Sequence, residues 1–345
     1  MNILYIGYSD YSTTSYHRFS ALERLGHHVT LLDRYEYLNP ILANTILGKF
    51  HYVTGYHYVQ AKMAQLLHQK VFTYKKLDLI WVDNGELFGP QCLKILRKLG
   101  VPIILYNIDD PTGERDGNRF LTLRKSLSFY DLCVVVRDAT YRDFIKLQLP
   151  TLKVTMSYDE IAHLPYDITK PLETEFISDI AFVGTWIKGE KRDEFLLSLI
   201  EDGLNISIWG DRWQKSKYWS KLKKSYKGKA LKGQDYVKAI QGAKISLGLL
   251  SQGNRDTHTT RSFEIPFIGG LLCAQRTDEH LAMFKEKEEA VFWENSTECA
   301  NICKWLLKNE SKRLAIQSNG FRKVRQLKVG NEDICKKILS VISQK

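Results

Sequence analysis

The chain has no Asp-x-Asp element, no His-Glu-x-x-His pair, no Walker loop and no Gly-x-Ser-x-Gly. The last three absences argue against a zincin, a P-loop NTPase and a common hydrolase. No apolar run approaches the roughly 18 to 20 residues that a membrane span needs. The opening MNILYIGYSD has no basic n-region and no cleavage site, so it reads as a first strand and not as a secretory signal. None of the six cysteines, at 92, 133, 273, 299, 303 and 335, forms a Cys-x-x-Cys pair. Cys299 and Cys303 share a helical face, but no further ligand lies nearby in sequence. Buried thiols in a reducing cytoplasm, with no bound metal, are the expectation. Acids are missing from one tract altogether: residues 212–232 carry nine Lys/Arg and no Asp or Glu.

What is present points to two folded bodies. The chain has 345 residues, more than one core usually serves. Its hydrophobic fraction of 44% lies well outside the disordered range. A net charge of +11 favours anionic partners: a phosphorylated small molecule, nucleic acid or an acidic membrane face.

Short β-rich runs alternate with helical stretches through the first half. NILYIGY, HVTLLD, LDLIWVD, PIILYNID and DLCVVVR read as strands. Between them lie SYHRFSALERLGH, a long helical stretch around 57–75, a helix near 89–99 and another over about 138–147. This is the signature of a parallel sheet covered on both faces. The pattern restarts at DIAFVGTW and continues with NISIWG, AKISLGLL and GGLLCAQ, plus a short strand at 290–293 and helices from 297 to 343. The expected fold is therefore α/β, with two Rossmann-like domains and a ligand cleft between them. The expected boundaries are 1–165, a proline-bearing linker at 166–177, and 178–330 with a terminal segment 331–345.

Two stretches can carry chemistry. FVGTWIKGEKRDEF is a strand, a turn at Gly184 and Thr185, and a helix. The helix would aim free N–H groups and a positive dipole end at a diphosphate, with Lys188, Lys191 and Arg192 adding charge. An ordinary βα loop with solvated lysines has the same look. NRDTHTTRSFEIPFIGG, residues 254–270, holds Asn254, Arg255, Asp256, Thr259, Arg261 and Glu264. Phe263, Ile265 and Phe267 flank Glu264, so its carboxylate is not expected on an open face and needs donors. Arg261 at i, i+3 is one source. A ribose diol, with two hydroxyls, is the other.

At this stretch the sequence resembles the CgeB-type, spore-maturation-like proteins, which belong with the group 1 glycosyltransferases of the two-Rossmann GT-B fold. NRDTHTTRSFEIPFIGGLLCAQRTDEHLAMF and EAVFW carry the resemblance, supported by DIAFVGTW, ISIWGDRW and YNIDDP. It implies a metal-independent transfer of a sugar from a nucleotide-sugar donor to a glycan or lipid-linked acceptor. It implies that Glu264 matches the glutamate that holds the donor ribose. Asp256, eight residues earlier, stands where the family has a sugar-contacting glutamate. Arg255 and the 184–192 turn would meet the phosphates. GKALKGQDYVKAI, near Lys232 and Gly233, would meet the base. The family's arginine after the turn glycine is replaced by Thr185, which leaves a non-catalytic module of the same fold as an alternative. The last helix would return to the N-terminal domain.

That N-terminal domain would hold the acceptor. GYSDYSTTSYHRF is a polar loop entering a helix, with Ser12, Thr13, Thr14 or Ser15 as N-cap and Ser15, His17 and Arg18 towards the acceptor. Asp109 and Asp110 follow a strand directly and are general-base candidates, with turn capping as the rival. His17 and His163 rank behind them. The tract 212–232 interleaves Trp213, Tyr218, Trp219 and Tyr226 with its cations. That suits a solvated helix with buried aromatics, a membrane face, or nucleic acid, the last being the less favoured partner.

Overall fold

The computed structural model describes residues 1–36, 38–167 and 169–343. Ile168, inside the expected linker, lies outside them. The chain forms two compact units. The first contains β1 (Asn2–Gly7), β2 (His28–Asp33), β3 (Leu79–Asp83), β4 (Ile103–Asn107), β5 (Leu132–Val135) and β6 (Thr151–Lys153). They form one parallel sheet in the order β2-β1-β3-β4-β5-β6. Every residue of β3 and β4 is buried, as expected of strands covered on both faces.

The second unit repeats the plan with β7 (Ser178–Val183), β8 (Ile206–Trp209), β9 (Tyr226–Gly228), β10 (Ala243–Gly248), β11 (Leu272–Gln275) and β12 (Val291–Trp293). The order is β12-β11-β10-β7-β8-β9, again all parallel. Helices between the strands close each core. Leu4, Ile80, Leu93 and Phe144 mark the first core, and Ile180, Leu196, Ile245 and Cys303 the second.

The division falls at Thr155/Met156, ahead of the expected linker. Residues after it are tied to the second unit: Tyr158 bridges to Gly330, and Gln241 bonds both the amide and the carbonyl of Tyr166. The helix Asn331–Ser343 belongs to the first unit, and so does the short crossing Gly253–Arg255.

The basic tract is not one solvated helix. It holds a turn at Trp213–Lys215, a helix at Trp219–Leu222 and β9. Trp213 is buried edge-on to Phe182, and Trp219 meets Tyr226 edge-on. Of the four aromatic rings, Trp213 is in the core and Tyr218, Trp219 and Tyr226 are half-buried. Two of the lysines, Lys217 and Lys221, pair with Glu194 and Glu201.

Candidate functional site

Ligands of open parallel sheets sit beyond the carboxyl ends of strands, where the strand order reverses. In the second sheet that place is between β7 and β10. The helix Arg261–Ile268 begins there: Arg261 Nε donates to the carbonyl of Val183, the last residue of β7, at 3.4 Å. Residues 262 to 268 are all buried, and Glu264 is 2% exposed. Its flanking apolar residues foretold that depth. The protein itself supplies donors to this carboxylate, Arg261 as expected and Tyr236 in addition. Oε2 accepts from Tyr236 Oη and from Arg261 Nη1, each at 2.7 Å. His163 Nε2 stands 3.7 Å from Oε1. Burial, with Glu264 adding to it and Arg261 opposing it, lifts the Tyr236 phenol well above its ordinary value, so this hydroxyl stays a donor. Arg261 keeps 34% of its side chain exposed and lies over the Tyr236 ring, 4.8 Å from its centre. The result is a bonded carboxylate behind a partly open guanidinium.

The turn entering this helix is equally well bonded. His258 Nε2 accepts from the Met156 amide at 3.0 Å, and its Nδ1 lies 2.6 Å from Glu279. Ser262 Oγ accepts from the Thr259 amide and meets His280 Nε2 at 2.8 Å. Asp256 accepts from the Ser251 amide at 3.2 Å. Gly233, with φ +53°, opens the helix Gly233–Gln241 that carries Tyr236.

The expected phosphate seat differs from prediction. Gly184 does make the turn, and Gly210 packs against it so closely that a Cβ there would lie 2.1 Å from the Gly184 carbonyl. The following helix, Arg192–Glu201, does not offer an unopposed positive end. Asp193 and Glu194 occupy its first turn, and Asp193 is buried, accepting from Trp186 Nε1, Ser216 Oγ and the Glu194 amide. Arg192 donates to the Thr185 carbonyl at 3.0 Å. Lys188 and Lys191 are exposed. A pocket of about 170 Å³ beside them is lined by Lys191, Arg192, Gln252 and Asn295, but also by Glu190 and Glu294.

In the first unit the reversal falls between β1 and β3. A cavity of about 400 Å³ lies there, lined by Tyr8, Arg34, Tyr35, Asn84, Glu86 and Arg119 among others. Glu86, 1% exposed, accepts from Tyr35 and from Arg119 Nε at 2.7 Å. Burial alone would raise its carboxyl; Arg119 and Arg34 outweigh that and hold it below its ordinary value. Among the described residues, no donor reaches Asn84 Oδ1 and no acceptor reaches Arg34 Nε, though both atoms are buried. Buried polar atoms left this way mark a place for a polar guest. The sequence reading missed this cluster, because its members come from four separate segments that are adjacent only in space.

Three expected roles change here. Arg18 is 2% exposed, paired with Asp83 at 2.8 Å and stacked over Tyr106, so it is a core ion pair and not an acceptor contact. Arg255 does not stand free for a phosphate: its Nε and Nη2 grip Asp110 at 2.6 and 2.7 Å, and Nη2 also reaches Asp143. Asp110 is thereby a poor base. Burial would raise its carboxyl, but Arg255, Thr140 and Thr112 outweigh it and hold the group below the usual range. Asp109 keeps 22% of its side chain exposed and touches Asn84 and Arg119 of the cavity, each at 3.3 Å. Ser15 is buried, its Oγ accepting from the Tyr8 amide at 2.9 Å, and Thr13 is the N-cap of the helix that carries half-buried His17. Elsewhere, Cys273 joins Cys299 and Cys303, with the three sulfurs within 4.8 Å of one another in the second core.

Residues 191–330 match the family model described as "Glycosyl transferase-like". This segment is 140 of the 345 residues. It contains the Glu264 helix, Tyr236 and Arg261. Solved structures match the whole chain and share its fold. HepE of Anabaena, solved with UDP-glucose, aligns at 13% identity with a TM-score of 0.69 and covers 100% of both chains. Sucrose-phosphate synthase of Thermosynechococcus elongatus aligns at 11% identity and 0.65, covering 100% of this chain and 98% of that one. The UDP-forming α,α-trehalose-phosphate synthase of Burkholderia vietnamiensis aligns at 12% and 0.65, with the same coverage. Such identities carry the two-domain GT-B fold. The comparison with curated proteins gives no match.

Proposed function

We propose that the chain is a nucleotide-sugar-dependent glycosyltransferase of the CgeB type, working in the cytoplasm on a glycan or lipid-linked acceptor. The second unit takes the donor and the first takes the acceptor. The carrying observation is Glu264: a carboxylate 2% exposed, at the switch point of the family-matched segment, held by Tyr236 and Arg261. In this reading Glu264 meets the ribose hydroxyls from behind, and Arg261 turns its exposed edge to the nucleotide. Asp256 and Thr259 lie towards the sugar. Lys188, Lys191 and Arg192 balance the diphosphate without a metal ion. The polar cavity of the first unit suits a hydroxyl-rich acceptor, because Asn84 Oδ1 and Arg34 Nε offer it one acceptor and one donor. Asp109, not Asp110, is the better placed base, if the transfer uses one. The burial of all six cysteines accords with a reducing compartment.

UDP is the first nucleotide to try, since HepE was solved with UDP-glucose and the trehalose-phosphate synthase is UDP-forming. A thermal-shift screen over UDP, GDP, ADP, CDP and TDP should give one clear riser, worth about 2.7 kcal/mol at a hundred times its Kd. Glu264→Gln should weaken that nucleotide about 10- to 100-fold, the worth of a hydrogen bond to a charged group. No response to any of the five, or full affinity in the variant with its fold intact, would remove the donor site from this helix.

A further inference from the structure

The helix Thr45–Val53 of the first unit is built inside out. Its sequence, TILGKFHYV, is mostly apolar, yet the one residue it buries is His51. Ile46 is 78% exposed, Leu47 46%, Phe50 45% and Val53 49%. Ile46, Phe50 and Val53 recur at i, i+4 and i+7, the spacing of a single helix face. Tyr58, 64% exposed, stacks on Phe50 with ring centres 5.3 Å apart and prolongs the ridge. The first turn is well anchored, for Asn44 accepts from the amides of Ile46 and Leu47. A water-facing helix normally turns such a face to the core; here water meets it.

The surrounding charge says what covers it. Between Glu36 and Asp78 the sequence has no Asp or Glu, and it has five lysines, at 49, 62, 70, 75 and 76. Lys49, Lys62, Lys75 and Lys76 are exposed. Asp116, which meets this layer from the chain beyond, is turned inward: it accepts from Tyr52 at 2.9 Å and pairs with Arg115. A second copy of the same face would set lysine against lysine, which disfavours self-pairing. An apolar ridge that carries the exposed Lys49, within a segment that has lysines and no acid, fits the headgroup boundary of an anionic bilayer. In that setting the ridge meets the acyl edge and the Lys49 ammonium meets the phosphates.

We propose that the helix Thr45–Val53, with Tyr58, docks the protein on an anionic phospholipid bilayer. This stands apart from the sugar-transfer reading. The test floats the full chain with vesicles of phosphatidylcholine alone and of equimolar phosphatidylcholine and phosphatidylglycerol. Binding to the mixed vesicles is expected, weaker by about tenfold or more on phosphatidylcholine alone or in high salt. Ile46→Asp with Phe50→Asp should abolish flotation while leaving the melting temperature unchanged, since both side chains are exposed. Lys49→Glu with Lys62→Glu should weaken it. Failure of the wild type to float, or equal flotation of the aspartate variant, overturns the proposal. So does a wild-type dimer that the aspartate variant dissolves, which would assign the ridge to a second copy. A nucleoside-diphosphate thermal shift kept in the aspartate variant separates this outcome from loss of the donor site.

Discussion

A carboxylate buried among apolar neighbours must be answered by donors, and Glu264 is answered twice. The burial was legible from Phe263, Ile265 and Phe267, and Arg261 from its i, i+3 spacing. Tyr236 was not legible as a partner, because it reaches Glu264 across 28 residues of chain. Long-range partners of this kind also decide Arg255, whose grip on Asp110 spans 145 residues. His280 offers a pH test at the same scale. It is fully buried between Ser262 and the Gln275 carbonyl, and burial pushes its imidazole down to about 4 from an ordinary 6.5. Between those values the unfolded chain binds the extra proton, so stability rises with pH there. The contribution is complete above 6.5 and is lost as pH falls to about 4, by about 3 kcal/mol. His280→Gln should flatten the pH dependence of the urea midpoint over that range. An unchanged slope would reject the assignment.

At the scale of elements, ten of the twelve strands were readable, because strands buried on both faces appear as unbroken apolar runs. β6 and β9, with the sequences TLK and YKG and no buried residue, lack such a run, whereas β12, equally short, is VFW and buried throughout. The helix Thr45–Val53 was missed for a different reason. Pattern reading assumes that an apolar face looks inward, and this one does not. The turn at the end of β7 depends on a glycine that the sequence did not single out. Gly210 has φ +145°, a conformation that side chains disfavour, and the Gly184 carbonyl fills the space where a Cβ would go. Gly210→Ala should therefore destabilise the second unit by about 2–4 kcal/mol. It should also weaken nucleotide binding, since Arg261 is anchored one residue before Gly184. A calorimetric melt of the variant checks the first effect, and a wild-type midpoint would contradict it.

At the scale of the whole molecule, the two sheets and their parallel order followed from the alternation of strand and helix. The exact place of division did not, because the Tyr158–Gly330 bridge and the Tyr166–Gln241 bonds are long-range. The helix Asn331–Ser343 buries Ile334, Cys335, Ile338, Leu339 and Ile342 and packs on the helix Thr14–Arg24, with Glu332 bonded to Arg24 at 2.7 Å. Deleting 331–343 should uncover that apolar contact and lower the melting of the first unit, while the second keeps its nucleotide response. Calorimetry with and without nucleotide reads both, and an unaltered first transition would show the helix to be dispensable.

The same helix sets a timetable for synthesis. A ribosome making about 5–20 residues per second must complete the entire second unit before it delivers the piece that finishes the first. For roughly 10–35 s at that pace the nascent N-terminal half waits with a greasy flank uncovered. Its maturation is thus not a matter of one lobe setting and then the next. The earlier-made half is sealed only by the later-made tail, and in the interval chaperones have a target.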